Sequence, residues 1–203
     1  MIKFENVTKK YGDKIALDSL TLEITPGEIF GLIGHNGAGK TTTIKSLVSV
    51  IEPTYVKIFV NGLSLEDHRL EIKKNIGYVS DSPDIFLKVP VISFWELIRK
   101  IYDIDREVMA IKIEELTKIF SLEDVENSMI EELSHGMRQK VFIIGALLSE
   151  PRLWVLDEPL TGLDPQSSYN LKAMMRNHAE KGNTVLFSTH VLEVAEKLKD
   201  LVT

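Results

Sequence analysis

The first 30 residues of the chain alternate between apolar and polar residues in short runs. Between residues 1 and 30 these runs are separated by Pro26-Gly27, a dipeptide that marks turns. Such alternation is typical of antiparallel strands with one buried face. We therefore predict a small antiparallel β layer, which Lys57-Ile58-Phe59-Val60 joins just before the turn at Asn61-Gly62.

Four other apolar runs are expected to form buried strands of a second, mostly parallel sheet, because segments with helical periodicity separate them. The same helical periodicity predicts where the helices lie. In addition, Ser121 followed by Asp124 resembles a capping box. The predicted strands are 29–33, 76–79, 153–156 and 184–187, and the predicted helices are 42–50, 66–75, 91–102, 105–120, 134–148 and 167–180.

The stretch from 88 to 150 differs from its surroundings because its pattern is almost entirely helical. We therefore expect one domain, 1–203, in which residues 1–87 and 151–203 form an α/β core and residues 88–150 form an inserted helical subdomain. Trp95 and Trp154 fall on apolar positions, and both are expected to pack in the core. His35, His68 and His178 are expected to lie in solvent.

A glycine-rich loop follows the first apolar strand of the parallel sheet and has the sequence Gly34-His35-Asn36-Gly37-Ala38-Gly39-Lys40-Thr41-Thr42. Between a strand and a helix, the pattern G-x-x-x-x-G-K-[ST] predicts a phosphate-binding loop. Its backbone N–H groups and the helix N-terminus favour an anion. Lys40 would reach the terminal phosphates, and Thr41 would ligate Mg²⁺. The chain is expected to bind a nucleoside triphosphate, with contacts from Asn36, Gly37, Gly39, Lys40, Thr41 and Thr42.

Two adjacent carboxylates, Asp157 and Glu158, end the apolar run 153–156. In open α/β sheets, ligands bind at the carboxyl ends of strands. Asp157 is therefore expected to reach the Mg²⁺ of the bound triphosphate, and Glu158 to polarise the attacking water as a general base. Taken without the glycine loop, the pair could equally be a surface acid pair at the end of a strand.

Composition narrows the class of protein. The formal net charge of −6 and the lack of any Lys/Arg run longer than two residues argue against a nucleic-acid partner. No apolar run is long enough to span a bilayer, and the first residues lack the apolar stretch of a leader peptide. The chain has no cysteine, so it can form neither a disulfide nor a thiolate zinc site. We expect a soluble, cytoplasmic protein.

Further motifs surround the two carboxylates, in the order Leu133-Ser134-His135-Gly136-Met137-Arg138-Gln139, Asp157-Glu158-Pro159, Thr161-Gly162-Leu163-Asp164 and Ser188-Thr189-His190. They resemble the motifs of the ABC-type ATPases, the first being similar to the signature motif LSGGQ. The resemblance extends from Tyr11 to His190. It implies an α/β fold with a P-loop NTPase core, a mostly parallel sheet, an N-terminal antiparallel β layer and an inserted helical lobe.

The resemblance also implies roles for residues that their local pattern does not explain. Tyr11 matches the aromatic residue that stacks on adenine. Ser134 and Gly136 match signature residues that bind the γ-phosphate of a nucleotide held by a second protomer. Asp164 matches the aspartate that links the two protomers' sites. His190 matches the histidine that contacts the γ-phosphate and orients the attacking water.

The sequence departs from the family pattern at four places. Asp81 replaces the glutamine that touches Mg²⁺, and we expect it still to couple to the metal. His135 and Met137 replace Gly and Gln in the signature, as in related exporters. The segment 54–57 lacks the usual glycine turn. The chain stops at Thr203, where family members add a strand and a helical tail; this part is expected to be missing and to leave a sheet edge unprotected.

The resemblance implies an ATP-binding and ATP-hydrolysing subunit that powers an ABC transporter, of an exporter-like subgroup, with ATP and Mg²⁺ as its cofactors. Two copies, or this chain and a second ABC ATPase, would form the dimer. A separate integral-membrane permease would hold it at the inner face of the cell membrane. The alternatives are a nucleotide-binding regulatory module with little turnover and a non-transport ABC ATPase.

Overall fold

Two four-stranded sheets form the framework of the computed structural model, which describes residues 1–55, 57–82 and 86–192. The first sheet is the predicted antiparallel layer, with β1 pairing between β2 and β4. The turn between β4 and β5 is formed by Asn61 and Gly62, both with positive φ. The order across this sheet is β2-β1-β4-β5, and its strands are β1 (Ile2–Tyr11), β2 (Lys14–Ile24), β4 (Ile58–Val60) and β5 (Leu63–Ser64).

The second sheet is parallel and has the order β3-β8-β7-β6 among the residues described. Its carboxyl ends lie at one edge, where Ile33 pairs with Thr189 and Val79 pairs with Leu156. The loops that follow these strands are therefore neighbours, as an open α/β sheet requires of a ligand site. The strands are β3 (Ile29–Ile33), β6 (Ile76–Val79), β7 (Leu153–Leu156) and β8 (Thr184–Thr189).

Helices occupy the predicted segments, with some different bounds. The first begins at Lys40, two residues earlier than predicted, because Gly39 takes a left-handed conformation (φ 88°) and starts it; Ser49, with φ 53°, follows its end. The second is shorter than the predicted 66–75. The helices are α1 (Lys40–Leu47), α2 (Arg69–Lys73), α3 (Val91–Tyr102), α4 (Arg106–Phe120), α5 (His135–Leu148) and α6 (Pro165–Glu180).

The capping box expected at Ser121 is wrong. Ser121 ends α4 in a left-handed conformation (φ 52°), and its N–H group bonds back to the last turn of that helix. The carboxylate cap lies instead at Asp105, whose Oδ1 accepts the N–H groups of Glu107 and Val108 at 2.8 and 3.1 Å. A polar residue beside a helix fits either end, and only the backbone conformation distinguishes them.

The parallel sheet is buried on both faces, and alternate residues of its strands point to different cores. Trp154 and Leu156 pack with α3, α4, α5 and α6, whereas Leu153 and Val155 pack with α1 and the antiparallel layer. Both tryptophans are fully buried, as predicted, and Trp95 Nε1 donates to the Val141 carbonyl at 3.1 Å. The helical segment and the sheet therefore share one core.

Of the three histidines expected to lie in solvent, His178 is instead partly buried. His35 and His68 are exposed, but His178 packs edge-on against the Trp154 ring at 5.6 Å, and burial lowers its pKa. The predicted loss of a C-terminal strand and tail concerns residues 193–203, which lie outside the described ranges. Val56, in the segment that lacks a glycine turn, also lies outside them.

Candidate active site

The glycine-rich loop connects β3 to α1 and exposes the N-terminus of that helix. Gly37 and Gly39 both have φ 88°, a conformation that favours glycine. At Gly39 a Cβ atom would also lie 2.8 Å from the carbonyl oxygen of Ala16, so glycine is required there. No side chain of the described residues caps α1. Its first N–H groups and its dipole therefore favour an anion at this point.

Lys40 places a buried ammonium group beneath this loop. Its side chain is only 8% exposed, and Nζ donates to the carbonyl oxygens of Gly34 at 2.6 Å and His35 at 3.3 Å. The same atom lies 3.4 Å from Glu158 Oε1. The only charged oxygen among these three contacts is that of Glu158, so the lysine can exchange neutral loop carbonyls for phosphate oxygens.

Asp157 is completely buried at the end of β7. Its Oδ1 accepts hydrogen bonds from Ser188 Oγ at 2.6 Å and Thr41 Oγ1 at 3.2 Å. Its Oδ2 is buried with no hydrogen-bond partner in the part of the chain that the structure describes. Burial raises the pKa of Asp157 and the nearby charge of Asp81 raises it further, while the two hydroxyl groups lower it. An unpartnered buried carboxylate oxygen is available to a cation.

Glu158 lies between the two other residues predicted to be catalytic. Its Oε1 faces Lys40, and its Oε2 lies 2.9 Å from His190 Nδ1. Its backbone has φ 47°, and its N–H group is held by Ser188 Oγ at 2.9 Å. A glutamate in this sparsely populated conformation is strained, and such strain concentrates at functional sites.

These residues surround one cleft of about 260 Å³. The cleft brings together the predicted residues of the glycine loop, Tyr11, Asp81 and Glu158, while Asp157 and His190 join through hydrogen bonds. The Tyr11 ring is half exposed, and the ammonium group of Lys9 lies 5.0 Å from its centre. The lining consists of Tyr11, Lys14, Ala16, Asn36, Gly37, Ala38, Gly39, Lys40, Thr41, Thr42, Asp81 and Glu158.

The residues of the signature motif do not line this cleft. Ser134 begins α5, where its Oγ accepts the Met137 N–H group at 3.3 Å, and Gly136 lies in the first turn. Asp164 caps α6, and its Oδ2 lies 2.7 Å from Lys140 Nζ. This lysine holds the pKa of Asp164 well below its usual range. Ser134, Gly136 and Asp164 thus form a separate surface of the same chain.

Sequence reasoning assigned no role to Ser188 or Lys140. Ser188 is fully buried and bridges the Asp157 carboxylate and the Glu158 N–H group. Lys140 is buried in an apolar helix, and it also donates to the Phe120 carbonyl oxygen at 3.1 Å. A charged residue on the buried side of a predicted helix was the available signal for Lys140.

An apolar groove of about 350 Å³ is lined by residues of the helical segment and of the parallel sheet. Phe94, Ile98 and Tyr102 of α3 form one wall, and Phe142 and Gly145 of α5 contribute to another. Phe94 is only 6% exposed, so it packs in the core while its ring edge reaches the groove. None of the described helices is long and apolar enough to cross a membrane.

Residues 17–161 match the family described as ABC transporter. Over 198 residues the chain is 31% identical to the Nod factor export ATP-binding protein I of Cupriavidus metallidurans, covering 98% of this chain and 65% of that protein. It is 36% identical over 201 residues to an uncharacterized ABC transporter ATP-binding protein of Methanocaldococcus jannaschii, covering 99% of this chain and 72% of that one. The chain thus spans about two thirds of the length of these relatives.

Solved structures agree with these relatives. An ATP-binding subunit of an ABC transporter superposes with a TM-score of 0.90 at 32% identity, covering 98% of this chain and 82% of that one. A dimeric ATP-binding cassette in a post-hydrolysis state, bound to ADP and Pi, superposes with a TM-score of 0.84 at 26% identity. The superposition covers 96% of this chain and 90% of that one. The chain belongs to the ABC transporter family. The relatives and solved neighbours are themselves named as ATP-binding proteins, subunits or cassettes.

Proposed function

We propose that this chain hydrolyses ATP at the cleft beside Lys40 and that the hydrolysis powers a transporter. The observation that carries the proposal is the position of Glu158, whose two carboxylate oxygens face Lys40 and His190 at 3.4 and 2.9 Å. Lys40 and the glycine-loop N–H groups bind the phosphates. Glu158 accepts a proton from the attacking water, and His190 orients that water and contacts the γ-phosphate.

The remaining cleft residues bind and position the nucleotide. Tyr11 stacks on adenine, while Asn36, Gly37, Gly39 and Thr42 surround the phosphates. Thr41, Asp157 and Asp81 would hold Mg²⁺, and the unpartnered Oδ2 of Asp157 fits such an ion. No group of three or more His, Cys, Asp or Glu side chains in the described ranges could hold a metal alone. This fits an ion that shares its ligands with phosphate and water. The bound metal would neutralise charge on the phosphates.

Two protomers complete each nucleotide site in this proposal. Ser134 and Gly136 lie at the exposed N-terminus of α5, where free N–H groups favour an anion, but they do not line their own chain's cleft. They therefore bind the γ-phosphate of ATP held by the partner, and Asp164 links the two sites. The partner is a second copy or a second ABC ATPase. The dimeric neighbour with ADP and Pi supports this assembly.

We propose that ATP hydrolysis by this chain drives transport through a separate membrane permease. The apolar groove is a suitable docking surface, because aromatic side chains line it and Ser80, which also lines it, directly precedes Asp81 of the nucleotide cleft. We propose that residues 88–150 act as a helical subdomain that contributes α3 and α5 to this groove. Docking would place the chain at the inner face of the cell membrane. The test is co-purification with the product of a neighbouring reading frame that has about six membrane-spanning stretches.

Phosphate release by Glu158→Gln tests the proposed chemistry. The substitution removes the general base while keeping the side chain's size, so Mg²⁺-dependent turnover should fall about 100-fold or more and ATP binding should remain. Glu150→Gln is the matched control, because Glu150 is exposed and pairs with Lys112 away from the cleft. Full turnover in Glu158→Gln would contradict the mechanism. ATP binding without phosphate release in the unaltered protein would favour a regulatory module instead.

A further inference from the structure

Asp81 adds a second carboxylate to the metal side of the nucleotide cleft. It follows β6 by two residues, and β6 is paired in register with β7, which ends just before Asp157. The Asp157 N–H group donates to the Val79 carbonyl oxygen at 2.9 Å, which ties the two strand ends together. Asp81 lines the cleft together with Thr41 and Glu158.

The charges around the cleft oppose a metal-free triphosphate. Two lysines line the cleft: Lys14 is exposed to solvent, and the buried Lys40 already faces Glu158 at 3.4 Å. Three carboxylates, those of Asp81, Asp157 and Glu158, lie at or beside the phosphate end of the cleft. Like charges placed together in a partly desolvated site repel strongly. The fully buried Oδ2 of Asp157, which has no partner among the described residues, shows where a cation would relieve that repulsion.

We propose that Asp81 makes nucleotide capture depend on the metal, so that the chain binds a nucleoside triphosphate as its divalent-cation complex and rejects the free triphosphate. This inference rests on the proposed function of the cleft and adds a specificity-determining role for one residue. A neutral amide at position 81 would keep a ligand oxygen but remove one charge from the cleft. It would therefore weaken metal binding and admit metal-free ATP.

The test is equilibrium binding of ATP to the full chain by calorimetry, with Mg²⁺ or with EDTA. We expect the unaltered protein to bind ATP at least about tenfold more weakly in EDTA, since one neighbouring charge shifts equilibria by tenfold or more. Asp81→Asn should recover about tenfold in EDTA and lose affinity with Mg²⁺. Asp67→Asn, at an exposed carboxylate outside the cleft, should behave like the unaltered protein. Asp81→Gln is a second variant with the same expectation.

Mn²⁺ provides a readout that does not depend on turnover. With ATP present, electron paramagnetic resonance should show weaker Mn²⁺ binding in Asp81→Asn than in Asp67→Asn. Equal ATP affinity with and without metal in the unaltered protein would overturn the inference, as would an Asp81→Asn variant that changes neither ATP nor Mn²⁺ affinity. Failure of the proposed function looks different: the unaltered protein would then release no phosphate, or would bind no ATP even with Mg²⁺, and neither result is the equal ATP affinity with and without metal that would overturn the inference.

Discussion

Gly136 packs directly on the backbone of Gly162, so closely that a Cβ atom at position 136 would overlap the Gly162 carbonyl oxygen. Gly136 is in the first turn of α5, and Gly162 is four residues after Glu158. The surface proposed for the partner's nucleotide and the loop that follows Glu158, the proposed general base, are therefore in backbone contact. Because neither glycine has a side chain that could change its conformation, a movement of one backbone segment is passed directly to the other.

Gly136→Ala should therefore disturb both the fold and catalysis. The collision involves backbone atoms that cannot rotate away, so we expect a loss of about 1–3 kcal/mol in unfolding free energy. ATP turnover should fall more than stability explains, because the Glu158 loop must move. The measurements are urea denaturation and phosphate release.

Gly62→Ala is the control for that loss of stability. Gly62 has φ 81° and nothing within 4 Å of its ideal Cβ position, and it lies in the turn between β4 and β5. Backbone strain there should cost about 1–3 kcal/mol without touching the cleft. If Gly136→Ala retains as much ATP turnover as Gly62→Ala does, the contact between Gly136 and Gly162 does not couple the signature surface to the Glu158 loop.

Asp157→Asn should stabilise the protein while abolishing turnover. The ionised Asp157 carboxylate is fully buried, and asparagine keeps two polar groups there but removes the charge, whose desolvation costs roughly 1–3 kcal/mol or more. Removing the charge should raise the thermal midpoint by about 2–4 °C for each kcal/mol recovered. Differential scanning calorimetry without nucleotide measures the change, and a lower midpoint than that of the unaltered protein would contradict the account.

The same substitution should change the pH dependence of stability. Burial raises the folded-state pKa of Asp157, so its contribution to stability is fully present below the ordinary value of 3.8 and is lost as the pH rises through the folded-state pKa. The stability advantage of Asp157→Asn should therefore grow with rising pH across that window. Denaturation of both proteins at a series of pH values tests this, and a constant difference would argue against it.

Tyr11→Ala should weaken ATP binding by about tenfold, because stacking of a base on an aromatic ring contributes about 1–3 kcal/mol. The half-exposed Tyr11 ring lines the cleft and has few contacts to lose. Tyr11→Phe should retain affinity, since the ring and not the hydroxyl stacks. Tyr169→Ala, at an exposed tyrosine on α6, is the control. Unchanged ATP affinity in Tyr11→Ala would remove this residue from the site.

Much of the fold followed from local patterns in the sequence. The bounds of α3 and β7 were predicted to the residue, because an amphipathic stripe and a short apolar run each end at clear breaks. The capping box at Ser121 and the solvent position of His178 were wrong. Both depend on something that no local pattern contains: a left-handed backbone at Ser121 and the Trp154 ring against His178.

In the candidate site, too, some residues were predicted from local sequence, and other contacts were not. The glycine loop and Asp157-Glu158 were found because strand, loop and helix chemistry lies within a few residues. The bridge from Ser188 to Asp157 joins positions 31 residues apart, and the pair Lys140–Asp164 joins positions 24 apart. Such contacts depend on how elements pack, so spacing along the chain does not reveal them.

Cross-linking between two single-cysteine variants tests the paired arrangement most directly, because the natural chain has no cysteine. His35→Cys, in the glycine loop, would be mixed with a size-tagged His135→Cys, next to Ser134, both in the Glu158→Gln background. Both positions are exposed. Asp67→Cys, in the exposed turn between β5 and α2, replaces His135→Cys in the control mixture.

With Mg²⁺ and ATP, a short bismaleimide should join His35→Cys to the tagged His135→Cys chain, and the product should be absent without nucleotide and in the control. If ATP binds but that mixed product never forms, Ser134 and Gly136 do not face the partner's glycine loop, and the two-protomer account of ATP hydrolysis is contradicted.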